Sequence, residues 1–164
     1  MVLQDPWLFE GTILENLQFA SPGVTPKQAI EAARISQADA LIRTLPNSYE
    51  MKIESGASNL SAGEKQMLTI ARAMAADPEM LILDEATSSV DSFTEYRIQQ
   101  GMKALMKGRT SFVIAHRLST IRDADLILYM ENGNIEESGT HEQLMKTKGR
   151  YAALYESQFR NAEY

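Results

Sequence analysis

The sequence predicts an α/β protein, because short apolar runs of strand length alternate with longer segments that open on helix-capping signals. The runs MLIL at 80–83 and SFVIA at 111–115 are the clearest strands, with a helix-length stretch between them. The region 11–76 carries helix signals and no strand signal, which sets an all-helical subdomain beside the sheet.

Taken in order, residues 1–3 read as the tail of a strand that stops at Gln4-Asp5-Pro6, where Pro6 forces the chain out of regular structure. Short helices fill 11–45. In Thr25-Pro26-Lys27-Gln28, Thr25 is the N-cap, Pro26 the first helical residue and Gln28 the reciprocal capping partner. Ala29, Ile30, Ala33 and Ile35 supply a partly apolar face. Pro46-Asn47-Ser48 closes the region, and 55–59 is a loop of small residues.

A second capping box, Ser61-Ala62-Gly63-Glu64, opens a helix that runs to about Ala76 and ends before Asp77-Pro78. The run at 80–83 ends in Asp84-Glu85 and suits a strand buried on both faces. Ser92-Phe93-Thr94-Glu95 caps a third long helix, which Gly108 terminates. The run at 111–115 is a further buried strand, followed by His116. Strands at 126–129 and 134–137 turn at Glu131-Asn132-Gly133. Thr140 and Gln143 cap a short helix, and a last helix from about Arg150 carries Tyr151, Leu154, Tyr155 and Phe159 at helical spacing.

Composition bounds the function. The 164 residues, 44% apolar and 23% charged, suffice for a domain with its own core. A net charge of -6 argues against nonspecific binding to nucleic acid or anionic membranes, which needs clustered Lys and Arg. With no cysteine, disulfides, thiolate metal sites and cysteine nucleophiles are excluded, and an intracellular setting is the natural expectation. No stretch approaches the roughly 18 unbroken apolar residues of a membrane span, and the N-terminus lacks a secretory-signal layout.

Five places are candidates for chemistry. LILDE at 81–85 ends a buried strand in two carboxylates, at the sheet edge where ligands of open α/β folds bind. There Asp84 can hold Mg²⁺ through water and Glu85 can polarise an attacking water. The same pattern also describes a solvated acidic strand end. In LSAGEKQ at 60–66, Ser61 can cap the helix, Gly63 admits a close backbone approach, and the free amides of the helix start favour an anion. Read structurally, the segment is a good capping box with Glu64 reaching back to Ser61. His116 at the strand end can donate to a phosphate oxygen or serve only the fold. Gln4 can place a water or a metal, and Asp91 in ATSSVDS is either a loop acid or part of a helix start. His141 reads as a surface residue in the first turn of its short helix.

Order and spacing decide among these. QDPWLFEGTILENL, LSAGEKQMLTIARAMAADPEMLILDEATSSVD and FVIAHRLSTI closely resemble the nucleotide-binding domain of the ATP-binding cassette (ABC) transporter family, from Val2 to about Leu144. The resemblance implies an incomplete P-loop NTPase (RecA-like) parallel-sheet core with an inserted all-helical signature subdomain. It divides the chain into the Q-loop and strand end at 1–10, the helical subdomain with the signature motif at 11–76, and core at 77–164 with Walker B, D-loop and switch histidine. By similarity Gln4 is the Q-loop glutamine, LILD the Walker B strand, Glu85 the catalytic glutamate, His116 the switch histidine, and Ser61, Ala62, Gly63 and Glu64 the signature. Asp91 belongs to the D-loop, and Asp84 with Gln4 would hold Mg²⁺. FEGTILENL and GTHEQLM resemble the exporter branch.

Two departures stand out: Ala62 and Glu64 replace the usual Gly and Gln, so one methyl and one negative charge enter near a phosphate site that Lys65 partly offsets. No two glycines of the chain are spaced as G-x-x-x-x-G-K requires, so the phosphate loop is absent from these residues. The resemblance therefore implies a segment of an ATP-hydrolysing domain, powering export across a membrane through nucleotide-driven dimerisation at the cytoplasmic face. Its expected partners are a second, identical or different nucleotide-binding domain and transmembrane domains fused upstream, with no nucleic acid. The isolated chain is expected not to bind ATP or hydrolyse it efficiently, and to expose an apolar sheet edge that invites self-pairing. The alternative is a non-catalytic module that lends its signature helix to another protein's phosphate loop.

Overall fold

The computed structural model describes residues 6–84, 90–115 and 121–160. They form two compact units, Met1–Ile114 and Ala115–Tyr164.

In the first unit the chain enters through β1 (Gly11–Thr12) and α1 (Ile13–Gln18). Thr12 caps α1 by accepting from the Glu15 amide at 3.1 Å, while the Glu15 carboxylate accepts from the Thr12 amide at 2.6 Å. The region 11–76 is not strandless as expected: β1 pairs antiparallel with β2 (Lys52–Ile53), Gly11 opposite Ile53. Strands of two residues are too short to show an alternation in sequence, so only tertiary pairing reveals them.

Helix α2 (Pro26–Ile35) starts at the Thr25–Gln28 box. It buries Ala29, Ala32 and Ala33, whereas Ile35 is exposed rather than part of that apolar face. The short α3 (Asp39–Ile42) follows. Helix α4 (Ala62–Ala75) packs against α1, α2 and α5 (Ser92–Met106), burying Met67, Leu68, Ile70, Ala71 and Met74. Its first turn is closed by the predicted Ser61–Glu64 box. For α5 the cap differs from expectation: Asp91, not Ser92, is the N-cap, because its carboxylate accepts from the amides of both Phe93 and Thr94.

Strands β3 (Met80–Asp84) and β4 (Thr110–Ile114) pair parallel and in register, Met80 opposite Thr110 and Asp84 opposite Ile114. Only one face is buried, which corrects the expectation of doubly buried strands. Leu81 and Leu83 join the core with Leu105 of α5, while Met80, Ile82, Phe112 and Ile114 are 41% to 59% exposed on the other face. A continuous apolar run records that both faces are apolar; it does not record which of them this chain covers.

Among its described residues the second unit has a hairpin followed by two helices. β5 (Ile127–Glu131) and β6 (Asn134–Gly139) are joined by Asn132 and Gly133, both at positive φ, the geometry of a type I′ turn. Helices α6 (His141–Thr147) and α7 (Arg150–Arg160) follow. Ile127, Leu144 and Tyr151 form the core, with Tyr129 and Tyr155 against it. His141 is more than a surface residue: its Nδ1 lies 2.9 Å from the buried Tyr151 hydroxyl, and its ring packs on Tyr155.

One polar side chain fastens the segment that leads into α1. Asn16 is 1% exposed, accepts from the Phe9 amide at 3.0 Å, and donates to the Phe9 and Thr12 carbonyls at 3.0 Å. Asn16→Leu removes all three bonds to half-buried backbone groups, so denaturant unfolding should show a loss of about 1–3 kcal/mol. A loss below about 0.5 kcal/mol would show that water replaces the side chain.

Candidate functional site

The site is built from strand ends and helix starts. Asp84 is the last residue of β3, at the carboxyl edge of the parallel pair and half-buried. That is where a strand-borne carboxylate meets a ligand in an open α/β sheet. Glu85, Gln4 and His116, the other residues assigned to catalysis or metal binding, lie outside the described residues.

Ser61 is exposed at the start of α4, where its hydroxyl accepts from the Glu64 amide at 3.3 Å. The Glu64 carboxylate turns back to accept from the Ser61 amide at 2.7 Å. A negative charge therefore sits at the positive end of a 14-residue helix, where it stabilises the helix and occupies an amide that an incoming anion would use. Lys65 does not pair with that charge; its ammonium donates to the Gly56 carbonyl at 3.4 Å. Ala62 is exposed, so its extra methyl meets solvent. Gly63, in contrast, is buried and turned toward α5.

Asp91 stands at the start of α5, with bonds of 3.1 Å and 3.0 Å from the Phe93 and Thr94 amides. Hydrogen bonds from the Thr94 backbone and side chain, followed by the Phe93 amide, hold its carboxyl below the ordinary aspartate value. Because α4 packs on α5, the capped starts carrying Ser61 and Asp91 belong to one helix pair. The structure thus brings the signature and D-loop candidates onto packed elements and sets Asp84 at the end of a strand in the same unit.

Three residues escaped the sequence reading. Asn16 occupies the Ile13–Leu17 apolar stripe, and a polar residue on such a stripe signals a backbone-satisfying bond. Arg72 lies 5.8 Å from the Trp7 ring centroid and donates to the Trp7 carbonyl at 2.6 Å, pinning the stretch after Gln4. Burial pushes its guanidinium pKa down. Thr94 touches Gly63, a contact that no local spacing announces.

An acid-ended parallel strand pair beside a capped helical subdomain is consistent with part of a P-loop NTPase fold. The ABC transporter family model matches residues 1–88, and the chain belongs to that family. It is 52% identical over 151 residues to a fatty acid ABC transporter ATP-binding/permease protein of Mycobacterium tuberculosis, covering 92% of this chain and 24% of that protein. A putative multidrug export ATP-binding/permease protein of Bacillus subtilis is 47% identical over 155 residues, covering 94% and 27%. Among solved structures, a bacterial Atm1-family ABC exporter with ATP bound superposes with a TM-score of 0.85 at 38% identity, covering 96% of this chain and 27% of that one. The chain thus spans about a quarter of the length of the curated relatives it matches.

The lowered pKa of Asp91 makes its cap acid-sensitive. A group whose folded pKa is depressed contributes stability that is present above its unfolded value, near 3.9, and is lost as pH falls through the folded value. Wild type should therefore exceed Asp91→Asn in unfolding free energy at neutral pH, with the gap closing at acid pH below about 3.9. A gap that stays constant through that range would remove the charge from the cap's action.

Proposed function

We propose that this chain is part of the ATP-hydrolysing domain of an exporter-type ABC transporter, in which nucleotide-driven pairing of two such domains powers transport across a membrane. The observation that carries this reading is Asp84 at the carboxyl edge of the parallel β3–β4 pair. Family likeness over 92% to 96% of the chain supports it.

In this reading Gln4, Asp84, Glu85 and His116 serve a nucleotide bound to their own subunit. Ser61, Ala62, Gly63, Glu64 and Asp91 serve the nucleotide of a second domain, with Ser61, Ala62 and Asp91 exposed and Gly63 buried. The donors suit Mg²⁺: the carboxylate of Asp84 and the amide oxygen of Gln4 are the hard oxygen ligands that ion takes. Bound there, Mg²⁺ would neutralise charge on the terminal phosphates. Glu85 would take a proton from the attacking water, and His116 would donate a hydrogen bond to the γ-phosphate. The exposed Ser61 hydroxyl and the start of α4 suit a phosphate, provided that the Glu64 carboxylate yields the Ser61 amide.

No helix among the described residues is long and apolar enough to cross a membrane. The membrane-spanning work belongs to other domains, with this one at the cytoplasmic face. The 164 residues contain no G-x-x-x-x-G-K, so phosphate binding needs a loop supplied from outside them.

Two measurements test this. Produced together with a sequence that supplies the phosphate loop, Glu85→Gln should lower ATP turnover on the order of 100-fold or more while nucleotide binding persists. Turnover that survives the substitution would take Glu85 out of the reaction. The 164-residue chain alone should give no Mg²⁺-dependent phosphate release above buffer, and measurable release would contradict the need for an external loop.

A further inference from the structure

Gly63 is reserved by the sequence reading for a close approach to a ligand, yet its open side faces its own protein. A Cβ built on Gly63 would stand 2.7 Å from Thr94 Cγ2 and 3.0 Å from Val90 Cγ1. Carbon atoms rest at about 3.5–4.0 Å, so neither contact is tolerable without movement. The Thr94 methyl therefore occupies the place that a side chain at position 63 would take.

Thr94 is poorly placed to yield. It lies in the first turn of α5, its amide bonded to Asp91 at 3.0 Å, and as a β-branched residue in a helix it has restricted χ1 freedom. The chain of contacts is continuous. Asp91 caps the turn that holds Thr94, Thr94 packs on Gly63, and Gly63 lies two residues after the cap Ser61.

We infer that Thr94 is a positioning residue whose methyl, seated on Gly63, sets the spacing between the starts of α4 and α5 and so holds Ser61 and Asp91 as one rigid unit. This rests on the reading above, in which those two residues together meet a nucleotide across a domain interface. It assigns the glycine of LSAGE to intramolecular packing, and it gives work to a threonine outside every recognised motif.

The test uses ATP turnover by the protein supplied with its phosphate loop, measured as kcat and KM for four variants beside wild type. Gly63→Ala should lower kcat on the order of 10-fold to 100-fold, the scale of a small misplacement away from the chemistry. Thr94→Ser, which deletes only the methyl, should lower kcat by roughly 3-fold, with KM for ATP held within about 2-fold. Thr94→Val keeps the methyl but gives up the hydroxyl's bond to Asp91, and it should lower kcat by less than Thr94→Ser does. The double variant Gly63→Ala/Thr94→Ser removes the 2.7 Å contact but keeps the 3.0 Å contact with Val90, so it should recover part of the kcat that Gly63→Ala loses, a positive coupling between touching residues.

A double variant no better than Gly63→Ala would overturn the inference, since the Thr94 methyl would then not be what the new side chain meets. So would Thr94→Ser indistinguishable from wild type, a result that does not depend on Gly63→Ala folding. Hydrolysis that is absent in wild type, or that survives Glu85→Gln, would instead sink the functional reading itself, so the two failures are separable.

Discussion

A helix enclosed on several sides cannot shift without moving its neighbours, and α4 is enclosed in this way by α1, α2 and α5. Its buried residues run around the helix from Gly63 through Met74, including the polar Gln66 and Thr69. Such all-round burial is costly to assemble from a polar sequence, which is why the helix is rich in Ala and Met. Everything assigned to nucleotide chemistry in the described part of the first unit hangs from it. Ser61 is its cap, Asp91 begins the helix packed against it, and Leu81 and Leu83 anchor the acid-ended strand in the core it shares.

Local chemistry at the helix starts links stability to the site. Each start leaves backbone amides without partners, and this chain satisfies them with side chains whose charge also shapes the surroundings. Thr12, Thr25, Ser61 and Thr140 all use reciprocal boxes. Where the partner is Gln28 or Gln143 the box is neutral; at Thr12 and Ser61 it is Glu15 and Glu64, so the same bond adds a charge. The departure from the family's usual glutamine therefore preserves the helix cap while changing the electrostatics met by an anion.

Capping signals made most of the helices legible in the sequence, because the reciprocal pairs at 25 and 28, 61 and 64, and 140 and 143 are short-range and chemically specific. The strands at 80–84 and 110–114 followed from apolar runs separated by a helix, whereas their direct pairing with each other emerged only in the structure. What escaped was set by distance in sequence. The β1–β2 bridge joins residues about forty apart, and Thr94 meets Gly63 across two helices. Asp91 displaced Ser92 as cap because both are competent acceptors, and only backbone conformation decides between them. Of the candidate site, the places of Ser61, Asp84 and Asp91 are described, whereas Gln4, Glu85 and His116 fall outside the described residues.

The outward side chains of the β3–β4 pair have a colloidal consequence. Met80, Ile82, Phe112 and Ile114 make an oily strip on a polypeptide whose net charge of -6 supplies the opposing repulsion. Excluded salts such as sulfate screen that repulsion and strengthen apolar contact together, so precipitation thresholds for this polypeptide follow the lyotropic series rather than ionic strength alone.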